Sequence, residues 1–451
     1  MKATLARFRC FPSVVRANEE TEITVRSYDS NFCFCDDITY EVQFVPQDIS
    51  DVPLDHEITL LGYEKSRKTF FVKPQNGELK LRYFFSGEQE WRIHISTKEY
   101  EKHQNPMYYA YKEHWWSKIE APKRGIDLFV YSLSDDLYNR RVLRGDLHVH
   151  TVASDGDDSA QAVCAAYRKA GRDFLAVTDH HVYNASKHAK EKLSFMKNFH
   201  ILCGEEVHNR YVGAFHMVNV KSDYSVNEIY LSDPDRVEKE AMALEGEVEI
   251  PQGLDKHEYL HRVWLYRAIK KSGGFAVFPH PYWSVGYLNT STKMSEAIIK
   301  NGLCDAFEVL GGTGSVARNN MQLALYNDLR AQGYDIPIVG STDSHQVIGC
   351  EYTAASTVVF TENDDIISAV RDKYSVAVES VAGEEMRVYG KRRLVFYTHF
   401  LLQNYFPIHD ELCSVSGSNL CEYFMGNEDA KADVVRSEEK IEQFEKSFFG
   451  R

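Results

Sequence analysis

From residue 141 onward, short apolar runs alternate with segments of helical period, and this alternation constrains the fold more than any other feature of the chain. The runs are Val142-Leu143, Phe174 to Val177, Phe199 to Leu202, Ala214 to Val220, Phe275 to Phe278, Ala306 to Leu310 and Ile336 to Val339. Runs this short suit buried strands, and the helical segments between them suit crossovers. The pattern predicts β-α repetition around a parallel sheet of seven strands. A longer stretch, Lys221 to Leu260, separates the fourth run from the fifth and is a lid or a crossover insertion. Within it Ser232-Asp233-Pro234 reads as a helix start, and the charge-rich Asp233 to Glu249 reads as a solvated helix face. Ser356 to Phe360 and Tyr374 to Val378 add further strands around a helix.

The preceding residues follow a different period. Ile23 and Val25 alternate with polar neighbours, as do Ile38, Tyr40, Val42 and Phe44, and later Trp91, Ile93 and Ile95. Period-two alternation buries one face of a strand. Asn76-Gly77, between Phe70-Phe71-Val72 and Leu79-Lys80-Leu81, predicts a hairpin. Residues 1–120 are therefore expected to form an antiparallel β-sandwich-like domain, 121–400 the α/β domain, and 401–451 a C-terminal helical extension. The aromatic-rich Tyr100 to Arg124 is expected to be a packed joint. The charged tail from Glu428 carries an apolar stripe of Val434, Ile441, Phe444 and Phe448, so a docked helix is expected there.

Charge narrows the partners. With 52 basic and 66 acidic residues the net charge is −14, which disfavours a protein that scans nucleic-acid polymers. The nine cysteines are odd in number and contain no CxxC pair, so a reducing compartment is expected. MKATLARFRCFPSVV lacks the apolar core of a signal peptide, and no run approaches the roughly 20 apolar residues that span a bilayer. A cytoplasmic protein is the expectation.

The chemistry lies in what accompanies each apolar run. The first leads into Asp146-Leu147-His148-Val149-His150 and then Asp155, and the second into Thr178-Asp179-His180-His181. The third ends in Gly204-Glu205-Glu206, and the fourth contains His216. The fifth ends in His280-Pro281, the sixth contains Glu308, and the seventh leads to Asp343-Ser344-His345. A single histidine after a strand is usually a surface or hydrogen-bonded polar residue. Metal-ligand residue types at almost every strand end are another matter, because strand ends converge on one face of a β/α barrel. His148 and His150, two residues apart on a strand, face the same side. The pattern predicts a polynuclear metal site.

Asp146-Leu147-His148-Val149-His150-Thr151, Ser154-Asp155-Gly156, Thr178-Asp179-His180, Glu206, His280-Pro281 and Asp343-Ser344-His345, in that order, resemble the PHP (polymerase and histidinol phosphatase) superfamily over residues 141–385. The β-domain ahead of them is similar to the carbaryl-hydrolase-like branch. The resemblance implies an α/β fold, a distorted seven-stranded (β/α)7 barrel, with two or three divalent ions (Mn, Fe or Zn) at its mouth. It implies a hydrolase that cleaves phosphoesters of a small molecule or short nucleotide by a metal-bridging hydroxide. Carried over position by position, the first ion takes His148, His150, Glu206 and Asp343, and the second Glu206, His216 and His280. The third takes Asp155, His180 and His345. The resemblance prefers Glu206 to Glu205, because it is second after Gly204 as in the family motif, and neighbours on a strand point to opposite faces, so only one of the two should reach the ions. Glu206, Asp343 and His180 carry the catalytic expectation. Asp179 and His181 are expected to support the ligands, and Arg210, Tyr282, Trp283 and Arg318 to contact substrate.

Gly312-Thr313-Gly314-Ser315-Val316-Ala317 matches a dinucleotide fingerprint but reads most simply as a tight turn opening a helix. No GxSxG elbow supports a serine nucleophile. His56, His94, His103, His114, His399 and His409 fall outside the motif set and read as structural or surface residues. Two rival readings remain: a carboxylic or carbamic ester hydrolase on the same metals, and a non-catalytic metal-binding module. The expected partner is a small phosphorylated substrate, with no membrane, and the β-domain either shapes the site or mediates homo-oligomerisation.

Overall fold

The computed structural model describes residues 8–27, 33–48, 56–58, 64–66, 69–97, 125–208, 215–284, 286–312, 315–349 and 351–451. The aromatic segment expected to be a joint, and Arg210, lie outside these residues. The chain divides into two units. One comprises 1–140 with 400–405 and 442–451, and the other 141–399 with 406–441. The expected boundary at 120 falls too early, because a strand at Gly125–Leu133 pairs along its length with Gln89–Ser96 and belongs to the first unit. The expected extension at 401–451 is divided between the units, and helix already begins at Arg392.

The first unit contains β1 (Phe8–Phe11), β2 (Val14–Arg16), β3 (Glu19–Ser27), β4 (Tyr40–Pro46), β5 (His56–Ile58), β6 (Glu64–Ser66), β7 (Phe70–Val72), β8 (Leu79–Phe85), β9 (Gln89–Ser96) and β10 (Gly125–Leu133). A β1-β3-β8 sheet and a β2-β10-β9-β4-β7 sheet enclose one apolar core. The alternating residues supply it: Ile23, Val25, Tyr40, Val42, Phe44, Trp91, Ile93 and Ile95 are all buried. Asn76 and Gly77 both have positive φ and form the expected turn, closed by an antiparallel bridge in which Gln75 and Glu78 exchange both backbone hydrogen bonds, but the pairing does not continue along the flanking strands. β7 pairs with β4 and β8 with β3, so the turn joins two sheets.

The second unit is mixed α/β. Its strands are β11 (Arg141–Val149), β12 (Phe174–Val177), β13 (His200–His208), β14 (His216–Val220), β15 (Phe275–Phe278), β16 (Ala306–Leu310), β17 (Ile338–Gly340), β18 (Ala355–Thr361), β19 (Ser375–Glu379) and β20 (Arg387–Tyr389). They form one sheet in the order β17-β16-β15-β14-β13-β12-β11-β18-β19-β20. The sheet curls back on itself. Past β17 the chain returns to the end of β11, where Asp343 N–H donates to His148 O at 2.9 Å and His150 N–H to Ser344 O at 2.9 Å.

The sheet is not parallel throughout. β11, β12 and β13 are parallel, as are β15, β16 and β17, but β14 runs against both of its neighbours. Only residues 209–215 separate β13 from β14, whereas a parallel crossover needs a dozen or more residues. The chain must therefore reverse. β18, β19 and β20 extend the β11 side in antiparallel fashion.

Leu143, Leu147, Ala176, Val218, Val277, Ala306 and Val339 share one core with the helix Ile366–Arg371. Val149, Leu175, Val177 and Ile201 instead pack with the helix Ala160–Lys169. Asp233 caps the helix Pro234–Met242 by accepting from Arg236 N–H, so that helix starts where the sequence expected. Gly312 lies in a turn ahead of the helix Val316–Ala331, whose N-cap is Ser315. Val434 and Ile441 are buried on the helix Ala430–Phe449. All described cysteines are free. No helix among the described residues is long and apolar enough to cross a membrane.

Candidate metal centre

The centre begins with a fault in β11. Its register with β12 shifts between Asp146 and Val149, so Leu147 packs in one core and Val149 in another. A bulge of this kind re-aims side chains, and here it turns His148 and His150 together toward the mouth of the curled sheet. Asp146 fixes the bulge. Its carboxylate accepts from His148 N–H at 3.1 Å, from Thr342 N–H at 3.1 Å and from Thr342 Oγ1 at 2.7 Å, tying β11 to the segment that carries Asp343. Burial pushes this carboxyl up to about 6 despite those bonds.

β13 contributes Glu206, buried at the middle of the cluster. Oε2 lies 3.2 Å from His148 Nε2, 3.3 Å from His150 Nε2 and 3.3 Å from His180 Nδ1. Oε1 lies 2.6 Å from His216 Nδ1 and 3.3 Å from His280 Nε2. Five imidazoles thus surround one carboxylate. Glu205 points the other way, bonded to Ser225 Oγ at 2.6 Å, Val226 N–H at 2.6 Å and Asn219 Nδ2 at 2.9 Å.

Asp343 stands opposite Glu206, in the left-handed region at φ 55° that Asp tolerates better than most residues. Its Oδ1 is 3.2 Å from His148 Nε2 and 3.0 Å from His150 Nε2, and its Oδ2 is 3.6 Å from His280 Nε2. Further out, Asp155 Oδ2 lies 3.3 Å from His345 Nε2 and 3.7 Å from His180 Nε2, and Asp155 Oδ1 lies 3.5 Å from His150 Nδ1.

At the mouth, ligand atoms lie within 4.8 Å of one another in the sets His148, His150, Glu206 and Asp343; His150, Asp155, His180 and His345; His180, Glu206 and His216; and His148, His280 and Glu308. All nine residues expected to ligate metal are therefore brought together, with one difference in grouping. His180 joins Glu206 and His216, while His280 groups with His148 and Glu308.

The residues fit a divalent metal. Glu206 Oε2, His180 Nδ1 and both nitrogens of His280 are buried and make no hydrogen bond, a costly arrangement unless a cation satisfies them. His148 Nε2 and His150 Nε2 face each other at 3.2 Å. Mixed imidazole and carboxylate donors suit Mn, Fe or Zn. Electrostatics agree. Burial disfavours charge on His148 and His150, but the carboxylates of Glu206 and Asp343 outweigh it, raising His150 to about 9 and His148 well above its ordinary value. Burial also opposes charge on Glu206 and Asp343, and the surrounding imidazoles overcome it, holding both below the usual carboxylate range.

Sequence reasoning gave no role to two residues of the site, although it noted Glu308 within the sixth run. Glu308, on β16, places Oε2 3.0 Å from His148 Nδ1 and leaves Nε2 free to face the centre. A carboxylate behind a ligating imidazole sets its tautomer and direction. His208 places Nε2 2.7 Å from His216 Nε2. Burial, then the His216 charge, brings His208 down to about 4, and burial with the neighbouring imidazoles brings His180 down to about 3. His208 lies two residues beyond Glu206 on the same strand face, and that spacing is the signal that could have found it.

Among the supporting residues, Asp179 accepts from Thr151 N–H at 2.7 Å, Thr151 Oγ1 at 2.8 Å and Ser154 Oγ at 2.8 Å, shaping the turn that leads to Asp155. It does not meet a ligand ring. His181 lies beside His180 and His208, at ring separations of 6.3 and 5.4 Å. Trp283 reaches the centre, its indole 6.1 Å from His216 and 6.2 Å from His280. Tyr282 is buried with its hydroxyl 3.2 Å from Thr292 Oγ1, a packing position. Arg318 is half-buried near the start of the helix Val316–Ala331.

No family model and no curated protein matches this chain. Among solved structures it is similar to a two-domain protein of Bacteroides vulgatus described as containing a "predicted PHP-like metal-dependent phosphoesterase", at 16% identity over 56% of this chain and 76% of that one, with a TM-score of 0.37. It is similar to an amidohydrolase of Chromobacterium violaceum at 18% identity, over 46% of this chain and 89% of that one, with a TM-score of 0.33. A third likeness is the lesion-specific endonuclease Q of Pyrococcus furiosus, at 12% identity over 55% of this chain and 58% of that one, with a TM-score of 0.33. The functional reading rests on the geometry of the centre and not on these likenesses.

Proposed function

We propose that this chain is a metal-dependent hydrolase that cleaves phosphoesters of a small molecule or short nucleotide. The observation that carries the reading is Glu206, buried among five imidazoles with Asp343 across from it. The motif resemblance supports it, and with it the interpretation of the curled sheet as a distorted (β/α)7 barrel of β11 to β17. Two or three ions of Mn, Fe or Zn would be held by His148, His150, Glu206 and Asp343, by Glu206, His216 and His280 with His180, and by Asp155, His180 and His345. Divalent ions bound there supply a water activated near neutral pH and neutralise phosphoryl oxygens.

The chain's own residues do the rest. Asp343, held ionised, is the group placed to accept the proton of the attacking water. His180, less buried than the other rings of the inner cluster, faces Glu206 with Nδ1 and Asp155 with Nε2 and so links the inner and outer ligand sets. Glu308 and Asp146 keep His148 and Asp343 from rotating, so little reorganisation is needed in the transition state. Arg210 and Arg318 are proposed to meet the substrate phosphate.

The Trp283 indole beside His216 and His280 favours an apolar group next to the reacting bond. It keeps carboxylic or carbamic ester hydrolysis as the second reading. Metal analysis of chelator-free protein, with a Mn²⁺-supplemented screen of phosphate, carboxylate and carbamate esters, tests both. Two to three metals per chain with phosphoester turnover is the expected result. Turnover of carbon esters alone selects the second reading. Metal without turnover would make the chain a binding module, and absence of metal would refute the centre.

A further inference from the structure

The segment between β14 and β15 carries histidines that the centre does not use. His257 and His261 lie four residues apart on the helix Lys256–Lys271, so their rings share one face, at a centroid separation of 4.6 Å. Both point at Glu238 on the helix Pro234–Met242. His257 Nε2 lies 3.0 Å from Glu238 Oε1 and 2.9 Å from Oε2, and His261 Nε2 lies 2.8 Å from the same Oε2. Two imidazole nitrogens and a carboxylate therefore converge on one point, from two helices. We propose that His257, His261 and Glu238 form a second, separate binding site for a borderline divalent transition metal, with Zn²⁺ as the fitting ion, that clips the helix Pro234–Met242 to the helix Lys256–Lys271.

The chemistry supports the assignment. Two His at i and i+4 with a carboxylate from another element is a recurring three-ligand zinc set. Tetrahedral bonds of about 2.0–2.1 Å put ligand atoms roughly 3.3 Å apart, so a small opening of the observed contacts admits the ion. His261 is fully buried and anchors the site, while His257 and Glu238 are each 37% exposed and leave a route of entry. Other contacts already bring the two helices together, for example Trp264 Nε1 to Glu240 Oε2 at 3.0 Å.

Glu258 sits inside the motif His257-Glu258-Tyr259-Leu260-His261. In peptidases with this spacing that carboxylate is the general base. Here it is bonded to Arg262, at 2.9 Å from Nε and 2.7 Å from Nη2. The site therefore binds an ion without cleaving peptides.

The test uses the full chain, stripped with chelator and reloaded with Zn²⁺, as wild type, His257→Gln and Glu238→Gln. Both substitutions fall at half-exposed positions and leave buried His261 in place. The expected result is one Zn²⁺ per chain fewer in each variant by mass spectrometry. Zn²⁺ should also raise Tm less in the variants than in wild type, and ester turnover should be unchanged. Equal zinc content and equal Zn²⁺-induced Tm shifts in all three proteins would overturn the proposal and leave a hydrogen-bonded trio. Loss of metal from the Glu206 centre is read separately, by loss of turnover.

Discussion

Glu308 offers the sharpest test of how the centre is built, because it touches no reacting atom. Its carboxylate is fully buried, and Oε2 meets His148 Nδ1 at 3.0 Å. Glu308→Gln keeps the shape and an acceptor oxygen but removes the charge that fixes the imidazole. Carboxylates in this position are worth about 10–100-fold in metal affinity, which is roughly 1.4–2.8 kcal/mol at 1.4 kcal/mol per factor of ten. Titrating chelator-stripped protein with Mn²⁺, by calorimetry and by turnover, should show an apparent Kd raised by that factor. Maximal rate should return at saturating metal, because His148 still reaches its place. Gly311→Ala should act in the same direction, since an added Cβ would lie 1.7 Å from Glu308 Oε1 and must displace the carboxylate. A folded Glu308→Gln protein with the wild-type metal dependence would refute the argument and leave Glu308 as a bystander.

Three further outcomes follow from the same geometry. Glu206→Gln should lower turnover by about 10²–10³-fold or more with an unchanged circular dichroism spectrum, on the scale of one lost electrostatic element, and retained activity would exclude Glu206 as the shared ligand. Asp155→Ala, at a half-exposed position, should lower metal content by one ion per chain without lowering Tm by more than a few degrees; unchanged metal content would remove Asp155 from the ligand set. Burial opposes charge on both His409 and Asp173, but their contact at 3.0 Å outweighs it, holding His409 well above the ordinary imidazole value and Asp173 below the usual carboxylate range. The stability this pair contributes is full between about pH 4 and 6.5, and is lost as pH rises toward the His409 value or falls toward that of Asp173. The Tm difference between wild type and His409→Gln should therefore be greatest in that window and shrink on either side, and a difference independent of pH would show that the pair is not charged.

The sequence makes the layers of the second unit legible because buried strands leave short apolar runs, and each of the seven expected runs contributes to a strand of the curled sheet. Composition tells less about connection. The hairpin expected at Asn76-Gly77 reads correctly as a turn closed by the Gln75–Glu78 pair, but the flanking strands join different sheets, since turn residues fix only local dihedrals and the first pair. The boundary at 120 fails for a related reason. β10 has the alternating Ile126, Leu128 and Val130 of a sandwich strand, but it follows the aromatic segment 100–124, whose composition masks the continuation of the β-domain.

The site was more legible than the topology because its residue types are rare in combination, yet the reason several of them meet is topological. The rule that functional groups sit at the C-terminal ends of strands covers Glu206, within the last residues of β13, but not His216, which begins β14. His216 reaches Glu206 because β14 is reversed, which brings its first residue to the mouth that the other strands reach with their last. The register places His208 opposite His216 by the same reversal. That reversal is readable from chain length alone: residues 209–215 cannot cross a sheet, so a histidine on either side of them must lie at one end of a strand pair. The same limit places His208 at the centre together with His216. Glu308 is different. An acidic residue inside the apolar run Ala306 to Leu310 has no place in a core unless something buried carries its partner, and the partner is the imidazole of His148, 160 residues away in sequence. Only the curled sheet, which brings β16 and β11 to one mouth, makes that pairing visible.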